Sequence, residues 1–96
     1  MILHIVNPSP FDSQALADCL KHISEQDSIL LIENAVVAAD QSSPFLEQLM
    51  SHTVYVLKND VEARGLQDRL HEHFSLVSDD GFVELTIAHA SSMSWY

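Results

Sequence analysis

The stretch SILLIE, residues 28–33, constrains the fold of this chain more than any other part of the sequence. It is a continuous apolar run of strand length, without the alternation of a strand that faces water on one side. Such runs are typical of strands that are buried on both faces of a parallel sheet. The stretch therefore predicts a strand inside such a sheet.

Further strand and helix patterns alternate around this run. Strands are predicted at residues 2–6, 53–57 and 75–78. Helices are predicted at residues 12–24, 43–50 and 59–65, with Asp12 or Ser13, Ser43 and Asp60 as caps, and residues 66–74 extend the third helix. Residues 34–43 are expected to form a loop or a broken turn, whereas residues 82–89 fit a strand or a helix equally well.

Alternation of strands and helices indicates parallel βαβ units joined by right-handed crossovers. We therefore predict a single domain, residues 1–96, of the α/β class. Its architecture is a small open parallel sheet of about five strands with helices on both faces.

The charge excludes several classes of partner. Fourteen acidic residues face four basic ones, which leaves a net charge of −10. Such a chain repels phosphate backbones and anionic membranes, so we expect no direct binding of nucleic acid and no membrane association. One cysteine and an N-terminus without the pattern of a signal peptide favour a cytoplasmic location.

Polar residues follow the predicted strands, where an open α/β sheet binds its ligands. They are Asn7, Ser9, Glu33, Asn34, Asn59, Asp60, Ser78 and Asp79. This predicted rim is acidic and has no glycine-rich loop, which makes it a poor site for a nucleotide. We expect no cofactor.

The six histidines do not form a metal-binding pattern. His71 and His73 are two residues apart and diverge on a helix, and the other four lie in separate elements. No second cysteine is available to complete a structural zinc site. We therefore expect no metal.

The cysteine is the remaining candidate for chemistry. Cys19 falls on an apolar stripe of the first helix with Leu16, Leu20 and Ile23. A cysteine in that position is typically a small buried residue with a raised pKa. The stripe therefore predicts that Cys19 is largely buried and mainly structural. The alternative is a reactive thiol, which would need partial exposure and a lowered pKa.

Four stretches in order carry a resemblance to a known family. They are ILHIVNPSPF, CLKHISEQDSILLIENAVVAA, VYVLKNDVEARGL and GFVELTIAHASSMSWY. Together they resemble the TusB/DsrH family almost from end to end. The resemblance implies a DsrE/DsrF/DsrH-like fold, in which residues 81–89 form a helix and MSWY the last strand.

The resemblance also implies a function. Members of this family act in cytoplasmic sulfur relays, as one of three related subunits present in two copies each, and for this chain we expect a non-catalytic or weakly catalytic subunit. The Tus branch passes persulfide sulfur between upstream and downstream carrier proteins, towards thiolation of the tRNA wobble uridine. The Dsr branch serves dissimilatory sulfur oxidation, and in both branches the main persulfide cysteine lies on another subunit.

Three functional interpretations follow for this chain. The first is a structural and docking subunit of a TusBCD-type complex. The second is a DsrH-type subunit in which Cys19 carries sulfur directly, because Dsr-type members have a cysteine at the matching place. The third is an acidic protein-interaction domain without sulfur chemistry.

One segment departs from the family pattern. Where the family usually has an Asp-Gly-Val-like turn after the second strand, this chain has Asn34, Ala35 and Val36. Alanine tolerates a positive φ badly, so we expect the loop to differ there.

Overall fold

The computed structural model describes residues 1–96. The strands are β1 (Ile2–Val6), β2 (Ser28–Leu31), β3 (Thr53–Leu57), β4 (Ser75–Val77) and β5 (Ser91–Trp95). The helices are α1 (Ala15–His22), α2 (Leu46–Leu49), α3 (Lys58–Ala63) and α4 (Asp79–Ala88), with a 3₁₀ helix at Glu33–Ala39. No helix is long and apolar enough to cross a membrane.

The five strands form one parallel sheet in the order β4-β3-β2-β1-β5. The central strand β2 is buried at all four of its positions, as the apolar run predicts. The predicted α/β class with an open parallel sheet of five strands is confirmed.

The two faces of the sheet are covered differently. Val6, Leu31 and Val56 lie side by side in the register and belong to a core of 15 buried residues. That core also draws residues from α1, the 3₁₀ helix and α3, but none from α4 or β5. The connection from β4 to β5 runs back across the sheet, so a right-handed crossover places α4 on the opposite face.

The segment predicted as a loop forms the 3₁₀ helix. Ala35, Val36, Ala38 and Ala39 are fully buried there. Their small side chains allow the backbone to lie close to the sheet, so packing rather than local propensity stabilises this segment. The expectation of a loop at residues 34–43 was therefore wrong for its first half.

The third helix is shorter than predicted. It ends before Gly65, which has a φ of 65°, and residues 66–74 form turns instead of further helix. Asp60 lies inside the helix and does not cap it, since the cap position is Leu57. Asp60 instead accepts a hydrogen bond from the amide of Glu33, the first residue of the 3₁₀ helix.

The end of the chain folds as the family resemblance implies. Residues 79–88 form α4, and Ser78 caps it by accepting a hydrogen bond from the Gly81 amide at 3.2 Å. β5 then pairs with β1 at the edge of the sheet. The alternative of a strand at residues 82–89 was wrong.

Candidate functional site

The single cysteine lies in the core. Cys19 is 0% exposed and packs in the same cluster as Leu16, with Leu20 and Ile23 half-buried against it. The burial predicted from the apolar stripe is confirmed. The helix therefore presents the sulfur to the sheet and not to solvent.

The surroundings of Cys19 oppose ionisation of its thiol. Burial, together with the negative charge of nearby Asp27, raises the pKa of Cys19 to about 12. Both causes act in the same direction, because a thiolate would lose its hydration and face a carboxylate. At neutral pH the group is a thiol, which is a poor nucleophile.

Asp27 is the centre of a buried hydrogen-bond network that the sequence does not reveal. Its carboxylate accepts from the amides of Ile2 (2.9 Å) and Ser24 (3.2 Å) and contacts His4 Nε2 at 2.9 Å. Burial raises the pKa of Asp27, but these hydrogen bonds outweigh it and hold the pKa well below its ordinary value. The carboxylate is therefore ionised at neutral pH.

His4 joins this carboxylate to the last strand. The Trp95 indole Nε1–H donates to His4 Nδ1 at 3.1 Å. Since the Asp27 carboxylate can only accept, the proton of the neutral ring lies on Nε2. The network therefore connects β1, the turn before β2 and the end of β5.

Sequence reasoning missed this network. The available signals were a histidine inside an otherwise apolar first strand and a lone tryptophan at the chain end. Neither signal indicates the other, because the two residues are 91 positions apart. All three side chains are half-buried or buried, so the network holds the structure together and offers no open site.

The structure brings several of the predicted rim residues together. Asp60 Oδ2 accepts from the Glu33 amide at 2.7 Å, and Arg64 donates to Asn34 Oδ1 at 2.8 and 3.0 Å. Arg64 also lies 3.6 Å from Asp60 in an i,i+4 ion pair. α3 therefore clamps the segment that follows β2.

This clamp surrounds a strained residue. Glu33 has a φ of 49°, the single positive φ outside glycine. The strain lies at Glu33 and not at Ala35, which has no positive φ. The Ala35 amide donates a hydrogen bond to the Asn7 carbonyl at 3.1 Å.

The remaining rim residues form local contacts. Asn59 Nδ2 donates to Asp79 Oδ2 at 3.0 Å, and the Ser9 hydroxyl accepts from the Phe11 amide at 3.2 Å. No ligand-sized cavity opens at the rim or elsewhere on the surface. The rim residues thus take part in hydrogen bonds within the chain.

The histidines do not gather. His73 Nε2 lies 2.9 Å from the His52 carbonyl, and the His71 ring accepts from the His73 amide at 3.1 Å. No group of three His, Cys, Asp or Glu side chains is arranged to hold a metal ion.

The fold and the site together define a class: a small parallel α/β domain with one buried thiol and no ligand cavity. Two solved structures share the fold, although their sequence identity is low. The ychN protein of E. coli superposes with a TM-score of 0.81 over 97% of both chains at 17% identity. The protein MTH1491 of Methanobacterium thermoautotrophicum gives a TM-score of 0.73 at 14% identity, over 97% of this chain and 96% of its own.

Sequence comparisons identify the family. A family model described as DsrH like protein matches residues 8–92. Protein TusB of Klebsiella pneumoniae is 38% identical and that of Buchnera aphidicola 34%, each over 98% of this chain and the whole relative. The chain belongs to the TusB/DsrH family, a membership that supports a role as a subunit of a sulfur relay for tRNA modification.

Proposed function

We propose that this chain is a structural and docking subunit of a cytoplasmic TusBCD-type complex. The complex passes persulfide sulfur towards thiolation of the tRNA wobble uridine, and the reacting cysteines belong to other chains. The observation that carries the proposal is the complete burial of Cys19 in a member of this family.

The environment of Cys19 is the reason for placing the chemistry elsewhere. A persulfide carrier must reach its donor and acceptor and must form a thiolate near neutral pH. Cys19 is 0% exposed, and its pKa is raised to about 12. The sulfur would need the outward displacement of α1 before any partner could reach it.

The partners follow from the family. We propose two related small subunits, TusC/DsrF-like and TusD/DsrE-like, in a heterohexamer with two copies of each chain. Upstream and downstream sulfur-carrier proteins would dock on the assembled complex. The net charge of −10 supports the proposal that any contact with tRNA is made by those other chains.

The decisive experiment replaces the cysteine in the assembled complex. We expect Cys19→Ala to leave sulfur transfer unchanged and to leave the subunit composition unchanged. Intact-mass spectrometry after incubation with a persulfide donor should show no added sulfur on this chain. Replacement of the persulfide cysteine on the partner subunit is the positive control, and it should abolish transfer.

The competing interpretation makes the opposite forecast. If Cys19 is a direct carrier, Cys19→Ala abolishes transfer while assembly persists, and the native chain gains the mass of one sulfur atom. Rapid labelling of Cys19 by a thiol reagent in the folded chain would also contradict our proposal. An acidic interaction domain without sulfur chemistry would show no association with either related subunit.

A test of nucleic acid binding separates this chain from its complex. We expect the isolated subunit to give no gel shift with tRNA at physiological salt, because it has four basic residues. Micromolar binding that weakens with salt would reveal a basic patch and contradict the assignment.

A further inference from the structure

The outer face of α4 carries two large aliphatic side chains that nothing covers. Val83 is 57% exposed and Ile87 is 77% exposed. They are four residues apart and therefore adjacent on the helix surface. We call this pair the α4 stripe.

Acidic residues border the α4 stripe. Asp80 and Glu84 are exposed and four residues apart, so two like charges lie side by side on the helix. None of the ion pairs in the structure involves α4. No lysine or arginine follows Arg69 in the chain, so neither α4 nor β5 carries a cation of its own to offset them.

The surface continues from the helix into the last strand. α4 has no buried residue, and in β5 only Trp95 is even half-buried. The outer edge of β5 is free, since this strand pairs with β1 alone. The exposed pair Val83 and Ile87, on a helix that buries no residue of its own, indicates a surface that another molecule covers.

The charges decide what kind of molecule fits. A second copy of this face would bring Asp80 and Glu84 against themselves with no cation between them. A subunit whose apolar patch is bordered by lysine or arginine would bury the stripe and neutralise both carboxylates.

We propose that the α4 stripe, with Asp80 and Glu84, is the surface on which this chain docks a partner subunit that presents an apolar patch bordered by Lys or Arg. This inference rests on the proposed function, because the partner is one of the two related subunits of the complex. It adds the location of the contact and the charge of the surface that meets it.

The test is co-expression of the full chain, carrying an affinity tag, with the two related subunits. Two variants probe the surface: Ile87→Glu, and the double charge reversal Asp80→Lys with Glu84→Lys. The matched control is Glu25→Lys with Asp68→Lys, two acidic residues that are also exposed but lie in the turns before β2 and after α3. Circular dichroism and thermal melting of each isolated chain verify that it is folded.

We expect each α4 variant to reduce the recovered complex at least about tenfold, whereas the control double variant recovers it like wild type. Higher salt should weaken the wild-type complex, because the border is electrostatic. Assembly of both α4 variants at the wild-type level would overturn the proposed surface while leaving the proposed function intact.

Two other results would overturn the assignment of the partner. Loss with Ile87→Glu but not with the charge reversal would show that the partner surface is not basic. A dimer of the isolated chain that Ile87→Glu converts to monomer would show that a second copy occupies the stripe. Failure of the wild-type chain to bind either related subunit would contradict both the proposed surface and the hetero-oligomer of the proposed function.

Discussion

The two sides of the sheet differ in how they are covered. On one side, α1, the 3₁₀ helix and α3 pack onto Val6, Leu31 and Val56 to form the 15-residue core. On the other side lies α4, which has no buried residue and whose Ile87 is 77% exposed. The same sheet is thus covered on one face by a well-packed group of helices, which we call the tight layer, and on the other face by the single helix α4.

This difference separates the residues that maintain the fold from those available for contact. A buried aliphatic residue contributes transfer and packing energy to folding. An exposed aliphatic residue on α4 contributes little to folding and is accessible to a partner. Cys19, the candidate sulfur carrier of the alternative interpretation, lies on the first side.

The largest expected effect compares one residue from each side. Leu31→Ala should lower the free energy of unfolding by about 2–5 kcal/mol, because it leaves a cavity beneath the tight layer. Ile87→Ala should change it by less than about 0.5 kcal/mol, because the side chain is exposed. Urea unfolding of both variants at one pH measures the contrast, and similar losses for the two would contradict the difference between the faces.

A second variant tests the network that ties β5 to the core. Trp95→Phe removes the indole donor and leaves the buried His4 Nδ1 without its partner. We expect a loss of about 1–3 kcal/mol in the free energy of unfolding. Hydrogen exchange should show earlier opening of residues 91–95 while residues 28–31 keep the protection of global unfolding.

The control for this variant is Tyr96→Phe, since Tyr96 is next in sequence but 87% exposed. It should leave both stability and exchange unchanged. Equal effects of the two substitutions would mean that the Trp95 hydrogen bond contributes nothing specific.

Replacements of Cys19 test the packing of the same 15-residue core, and their expected effect on the free energy of unfolding is smaller. Cys19→Ser places a hydroxyl in an apolar site and should cost about 1–3 kcal/mol where no partner is available. Cys19→Ala removes a small apolar group and should cost less, about 1 kcal/mol. Thermal unfolding of the two variants gives the order, and a serine variant as stable as the alanine variant would indicate a polar or hydrated site.

The smallest expected effect is the acid dependence of an ion pair at the border of the core. Arg69 donates to Asp40 at 2.6 and 3.1 Å, and these bonds lower the pKa of Asp40 from 3.8 to about 2. A lowered pKa in the folded state contributes stability that is complete above the unfolded pKa and lost as the pH falls through the folded value. Asp40→Asn should therefore be less stable than wild type at pH 6, and the two should converge between pH 4 and 2.

Chemical denaturation at pH 6, 4, 3 and 2 provides the measurement for Asp40→Asn. Ser42 also donates to Asp40 through its amide and its hydroxyl and helps to lower the pKa of that carboxyl. Ser42→Ala is a comparison variant that keeps the Arg69–Asp40 bonds, so it should retain most of the dependence on pH. A constant difference between wild type and Asp40→Asn across this range would show that the carboxylate does not titrate with folding.

The local patterns of this chain predict its elements and topology well. Continuous apolar runs mark β2 and β3, and alternation of strands with helices indicates the parallel sheet that the structure contains. The stripe of Leu16, Leu20 and Ile23 predicts the burial of Cys19, because a helix places such residues on one face. These features depend on neighbours within a few residues, and a linear sequence records those neighbours directly.

Contacts between distant residues were beyond such reasoning. The alanine-rich segment after β2 is a buried 3₁₀ helix because small side chains let it approach the sheet, which local propensity alone does not predict. The clamp of Asp60 and Arg64 on residues 33 and 34 likewise joins positions about 30 apart. The side chains were predictable as rim residues, but their partners were not.

The sequence by itself determined the parallel α/β fold, the acidic charge and the burial of the single thiol, since composition and short-range periodicity set all three. Only the tertiary structure decided that His4, Asp27 and Trp95 form one network and that α4 leaves Val83 and Ile87 uncovered. The physical reason is that the crossover from β4 to β5 spans the whole sheet. Which residues meet or stay exposed at its end depends on where every preceding strand has been placed.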